Sequence, residues 1–175
     1  YTEGIAAAAY ATGDGTAIQS APDANANSLG NTNIYVKKTE TDELISFIKF
    51  DISKFAGRKV SGVKFSTRSS MNTGKTMTVA LHIANSVNFT RETLTWNTKP
   101  TTGNELATVL MDASSARKYY AQTATRLVDY VNTKLQEGAA EIAVALKYKD
   151  GDSADLKWIG GKGDGAYGPL LELEF

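Results

Sequence analysis

Alternation constrains this chain most: seven stretches place apolar residues at every second position, which suits a strand with one face in a core and one in water. They are Asn33-Ile34-Tyr35-Val36-Lys37, Ser46-Phe47-Ile48-Lys49-Phe50-Asp51-Ile52, Gly62-Val63-Lys64-Phe65-Ser66 and Met77-Thr78-Val79-Ala80-Leu81-His82-Ile83. Glu141-Ile142-Ala143-Val144-Ala145-Leu146-Lys147-Tyr148, Asp155-Leu156-Lys157-Trp158 and Leu170-Leu171-Glu172-Leu173-Glu174-Phe175 complete the set. Between them stand turn residues such as Asn72-Thr73-Gly74 and Asp150-Gly151-Asp152, and a glycine-dense run over 160–168. Seven or more strands of this kind close into an all-β, two-sheet β-sandwich. One stretch departs from period two. Leu127, Val128, Val131 and Leu135 recur at helical spacing ahead of Gly138, which predicts a short helix over 125–135 packed on an end or edge of the sandwich.

At 175 residues the chain is one domain by size, spanning 1–175, with no linker, repeat or charge block. A start at Tyr1 points to a domain cut from a longer or processed protein, and localisation does not follow from composition. Lys and Arg number 19 against 19 Asp and Glu, which excludes a nucleic-acid binder held by bulk charge but leaves room for a local basic patch. The absence of cysteine excludes disulfides, thiol catalysis and Cys-ligated zinc, and the single His82 excludes any motif that needs two histidines. No apolar run is long enough to span a bilayer, and no signal peptide opens the chain.

Sorting the strands by face gives the strongest functional signal. If Ile34, Val36, Ile48, Phe50, Ile52, Val63, Phe65, Val79, Leu81, Ile83, Ile142, Val144, Leu146, Leu156 and Trp158 point inward, then Tyr35, Lys37, Lys49, Lys64, His82, Lys147 and Lys157 point outward, with Arg68 near the end of its strand. The outward set is basic although the chain is neutral. Lysine and arginine beside a tyrosine suit an acidic glycan, whose carboxylates take charge-assisted hydrogen bonds and whose sugar faces lie on aromatic rings. A solvated sheet face accounts for the same lysines, and an ordinary surface histidine accounts for His82. No nucleophile elbow accompanies His82, so triad catalysis is not indicated. A lyase built on Tyr35 and His82 lacks a supporting motif.

Asp51 is the one acid placed firmly in a sheet interior, and one acid is not the pair that glycoside hydrolysis needs. The loop Asp150-Gly151-Asp152-Ser153-Ala154-Asp155 has oxygen donors for calcium but not the spacing of an EF-hand, and fits a plain turn better. No other cofactor is indicated. Trp96 fits a plug over the core better than a sugar platform. Lys162 stands in the glycine-dense run, which precedes a strand and not a helix and so does not form a phosphate cradle.

Three segments carry a resemblance: Asn27-Ser28-Leu29-Gly30 with the strand after it, Phe47-Ile48-Lys49-Phe50-Asp51-Ile52-Ser53, and Arg91-Glu92-Thr93-Leu94-Thr95-Trp96-Asn97-Thr98-Lys99-Pro100. In this order they resemble the DNRLRE-type domain, whose members include the alginate-binding carbohydrate-binding modules of family 96. The late helix and Pro169-Leu170-Leu171-Glu172-Leu173 fall in the family's positions as well, so the likeness runs from about Asp14 to Phe175. Phe89 stands near the place of a family tryptophan, and Gly161-Lys162-Gly163 keeps a basic residue where the family also has an acid. The resemblance implies a sandwich of jelly-roll type without catalytic apparatus, secreted or at the cell surface and covalently linked to neighbouring domains. Residues and resemblance together give the expectation of an acidic polysaccharide, a uronate polymer such as alginate, held by Tyr35, Lys37, Lys49, Arg68, His82, Lys157 and Lys162. The alternative is a structural spacer or assembly domain with no glycan ligand.

Overall fold

The computed structural model describes residues 1–13, 33–40, 43–70, 74–90, 92–112, 117–120, 124–152, 157–160 and 169–175; at 6, 8, 11–13, 33–35, 68–70, 117–120 and 157–160 the description is of the backbone. Eleven strands and one helix occur among these residues: β1 (Thr2–Ala6), β2 (Ala8–Gly13), β3 (Asn33–Lys38), β4 (Glu43–Asp51), β5 (Gly62–Ser70), β6 (Met77–Ala84), β7 (Thr102–Met111), β8 (Arg117–Tyr120), α1 (Thr125–Gln136), β9 (Glu141–Gly151), β10 (Lys157–Gly160) and β11 (Leu170–Glu174). Every pairing is antiparallel. One sheet runs β1-β11-β5 with β8 also on β5, and the other carries β2 and β3 on one edge of β4, followed by β9, β6 and β7. β10 pairs with β3 of one sheet and β5 of the other, so it joins the two along one side of the sandwich.

The core lies where the alternation puts it. Val36, Ile48, Phe50, Ile52, Val63, Phe65, Val79, Leu81, Ile142, Val144 and Leu146 are all buried, and Ile83 packs half-buried against them. Phe50 of one sheet meets Phe65 of the other edge to face, with centroids 6.4 Å apart, a favoured geometry for two quadrupolar rings. The predicted helix forms with its apolar stripe inward: Leu127, Tyr130, Val131 and Leu135 are buried. Its connection to the sandwich is polar. Asn132 exchanges two hydrogen bonds with the backbone of Val60, and the Tyr130 hydroxyl donates to the Ala143 carbonyl at 2.9 Å. Burial raises the Tyr130 pKa above its ordinary value. The helix ends because Gly138 takes φ +73, letting Gly138 and Ala139 donate back to Leu135 and Lys134.

Four strands lie outside the segments with clear alternation. β1 and β2 form from the alanine-rich start, where small residues give no contrast between faces. β8 is a four-residue strand of Arg, Lys and two Tyr. β7 loses its period to two irregularities. Leu81 pairs with Ala107 but His82 pairs with Glu105, leaving Leu106 as an extra residue; from His82 to Ala84 the partner advances from Glu105 to Thr102, leaving another. The first bulge lets Leu106 and Val109, three apart, both reach the core.

Candidate functional site

The outward row of β4 is not an open face. Ile45 and Phe47 are buried there in a second apolar cluster with Ala84, Ala143, Ala145, Phe89 and Leu94, because the β6–β7 connection folds back across the sheet. Phe89 is 2% exposed and sits between Phe47 and Tyr10, with centroids at 5.7 and 6.3 Å. Threonines fix the turns that follow: Thr95 and Thr98 exchange backbone-to-hydroxyl bonds, and the Thr98 hydroxyl donates to the Thr93 carbonyl at 2.6 Å. Trp96 packs half-buried on this cluster beneath the Lys99 ammonium, which lies 3.7 Å from its ring centre. Trp96 is therefore a plug, as its surroundings in sequence suggested.

Lys49 belongs to this cover. Its Nζ donates to the carbonyls of Phe89 at 2.6 Å and Val87 at 3.2 Å, lies 4.7 Å from the Phe89 ring and is 4.0 Å from Glu141. Only 12% of the side chain is exposed. The pattern placed Lys49 outward correctly, but outward here means under the connection, where the ammonium satisfies loop carbonyls. We therefore take Lys49 out of the ligand-facing set.

His82 lies on the same outer face, three strands from β3, in the row Tyr10, Phe47, Ala145, His82, Glu105. Its Nδ1 is 3.0 Å from the Gly103 carbonyl, which only accepts, so Nδ1 carries the proton. Lys147 pairs with Ala80 one row away, and Lys149 makes an ion pair with Glu105 at 2.9 Å. Lys64, in the other sheet, stands opposite Glu172.

Four of the seven residues singled out in sequence meet at the joining strand. β10 sets Lys157 opposite the buried Val36 and Trp158 opposite Tyr35; opposed residues share a face, so the register reverses the expected inward Trp158 and outward Lys157, and Trp158 also faces Ser70, two residues from Arg68 on β5. With neighbouring strands about 4.8 Å apart, β3 and β5 lie on the order of 10 Å apart across β10. Lys37 is half-exposed, and the adjacent Lys38 pairs with Glu43 at 3.5 Å. β8 brings more charge to this junction, since Arg117 stands opposite Arg68 and Lys118 opposite Thr67. The run Arg117-Lys118-Tyr119-Tyr120 was visible as a basic and aromatic cluster. It does not alternate apolar and polar residues, so period two gives no sign of a strand there. Lys162 lies outside the described residues.

The acids have local duties. Asp51 accepts from the Ser53 hydroxyl at 2.6 Å and the Ser53 amide at 2.9 Å, starting a 3₁₀ turn, and these bonds lower its pKa. Asp152 accepts from the Thr76 amide at 3.0 Å while its own amide donates to the Thr76 carbonyl. Gly151 beside it has φ +92, and a Cβ there would sit 2.8 Å from the Thr76 oxygen, so a tight glycine junction holds this part of the loop. Residues 153–156 lie outside the description, and among the described residues no three His, Asp or Glu side chains gather to hold a metal.

Known proteins resemble this one along most of its length. Over 129 residues it is 28% identical to a gellan lyase from a Bacillus species, an alignment covering 72% of this chain and 5% of the lyase. Among the described residues no helix is long and apolar enough to cross a membrane. Residues 6–158 match carbohydrate-binding module family 96, and the chain belongs to that family.

Proposed function

We propose that the chain is a non-catalytic module that holds an acidic polysaccharide, a uronate polymer such as alginate, for a longer secreted polysaccharide-degrading enzyme or surface protein. The observation that supports this reading is the register of the β3–β10–β5 junction, which through Trp158 sets Tyr35 of β3 on the same face as Ser70 and hence Arg68 of β5, with Lys37 two residues from Tyr35. Arg117 and Lys118 extend it on β8. Lysine offers a point charge to each carboxylate, arginine a two-pronged bond, and tyrosine a flat face for a sugar ring. The relative is named as a lyase of gellan, in keeping with a polysaccharide ligand. His82 and Lys162 remain in the proposed set as contacts beyond the junction.

Exposed ion pairs contribute about 1 kcal/mol or less each, so a single stretch of polymer is held weakly and repetition along the chain supplies avidity. Salt weakens such binding. Affinity electrophoresis through alginate and pectin at low and high salt tests the reading. The expected result is retardation at low salt, relieved at high salt, with the polymer left intact. The double variant Lys37→Ala/Arg68→Ala should lose affinity by up to about thirtyfold at an unchanged melting temperature. Absence of retardation in either gel would favour the spacer, and new ultraviolet-absorbing unsaturated ends would indicate a lyase.

A further inference from the structure

A groove runs along the flank of α1, away from the basic junction. Its larger part encloses 580 Å³ over a floor of Ile83, Leu106 and Tyr130, and it continues past Lys134 into a 300 Å³ recess beside Asn85 and Asn88. Volumes of this order suit a small ligand or a short run of sugar rings. The bulges of β7 shape it. The first supplies Leu106 to the floor, and the second lies at Gly103 and Asn104, the latter on the rim. Bulges bend a strand and re-aim its side chains, and they recur beside binding sites.

The polar lining contrasts with that of the junction. The side chains of Asn104 and Asp129 are exposed and have no hydrogen-bond or ion-pair partner among the described residues. Arg126 donates to the Glu105 carbonyl at 3.4 Å, Lys134 pairs with Glu137 at 3.3 Å, and Glu141 lies in the far recess near Lys49. The lining sets two acids, Asp129 and Glu141, against two bases, Arg126 and Lys134, of which Lys134 is already paired, and Asp129 would repel a carboxylate. An amide and a carboxylate beside the half-buried Ile83 instead match a sugar's neighbouring hydroxyls: the carboxylate accepts, the amide does both, and the C–H face lies on Ile83.

We propose that this groove is a second carbohydrate site, one that takes uncharged sugar residues. It rests on the carbohydrate-binding reading above but not on the preference for acidic polymers. Nuclear magnetic resonance titration of the isotope-labelled protein with cellohexaose, mannohexaose and laminarihexaose to millimolar concentration, and separately with an oligoguluronate, tests it. At least one neutral oligosaccharide should shift the resonances of Asn104, Asp129 and Thr133, with little effect of salt. Asn104→Ala/Asp129→Ala, at two exposed positions, should weaken that binding about tenfold or more while leaving oligoguluronate binding unchanged. Silence of the groove towards all three neutral sugars, equal binding by the double variant, or stronger groove shifts with oligoguluronate would each overturn the proposal. If oligoguluronate moves β3 and β10 while the neutral sugars move nothing, the groove alone is refuted. If no saccharide of either kind binds, the carbohydrate-binding reading falls with it.

Discussion

Lys49 and Lys157 hold the same position in the alternating pattern, yet the fold treats the two regions differently. Around Lys49 the β6–β7 connection covers the sheet, burying Phe89 and Leu94 against Phe47 and engaging the ammonium with two carbonyls. Around Lys157 the neighbours are β3 and β5, and basic residues gather on adjacent strands. Period two says which side of a strand a residue occupies. It does not say what another part of the chain lays over that side.

The largest effect should come from stripping the cover. Phe89→Ala removes a ring packed between Phe47 and Tyr10, and should cost about 3 kcal/mol or more, seen as a lower midpoint in urea. If glycan retardation at the junction survives in the folded variant, cover and binding surface are separate; joint loss would break the comparison. Next comes Lys49→Met, which keeps the aliphatic stem and leaves the Val87 and Phe89 carbonyls without their donor. A loss of about 1–3 kcal/mol is expected, with retardation by alginate unchanged. Unchanged stability with lost retardation would return Lys49 to the ligand set.

The smallest effect concerns Asp51, the next outward residue of β4 and the first beyond the cover. Its pKa is lowered in the folded state by the two Ser53 hydrogen bonds, so its contribution is complete above the unfolded value near 4 and disappears as pH falls through the lower folded value. Melting temperatures of the protein and of Asp51→Asn should therefore converge as pH falls below about 4. A gap that persists there would assign the difference to something other than the carboxylate charge.

Much of the fold was legible because large apolar residues alternate with polar ones in β3, β4, β5, β6, β9 and β11, and because Leu127, Val131 and Leu135 define one helical stripe. β1 and β2 were hidden because alanine on both faces creates no contrast, and β7 because two extra residues shift its phase. The site was less legible. Tyr35, Lys37 and Arg68 come together only because β10 pairs with strands of both sheets, a long-range register that no local pattern encodes. Asn104 and Asp129 were missed for a related reason: a polar residue on a bulge and another on an exposed helix face gain meaning only when the groove sets them side by side.

The pairing of β1 with β11 also bears on how the domain responds to force. The Phe175 amide donates to the Tyr1 carbonyl, their rings stand 5.9 Å apart, and Arg58 lies 3.9 Å from the centre of the Phe175 ring. Because the strands are antiparallel, the two ends leave the sandwich from the same side, and tension between them loads this first rung before any other. The ladder then opens like a zipper, one rung at a time, at forces well below those needed to shear all its bonds together. Arg58 and the rings it touches act as the latch that sets where peeling begins.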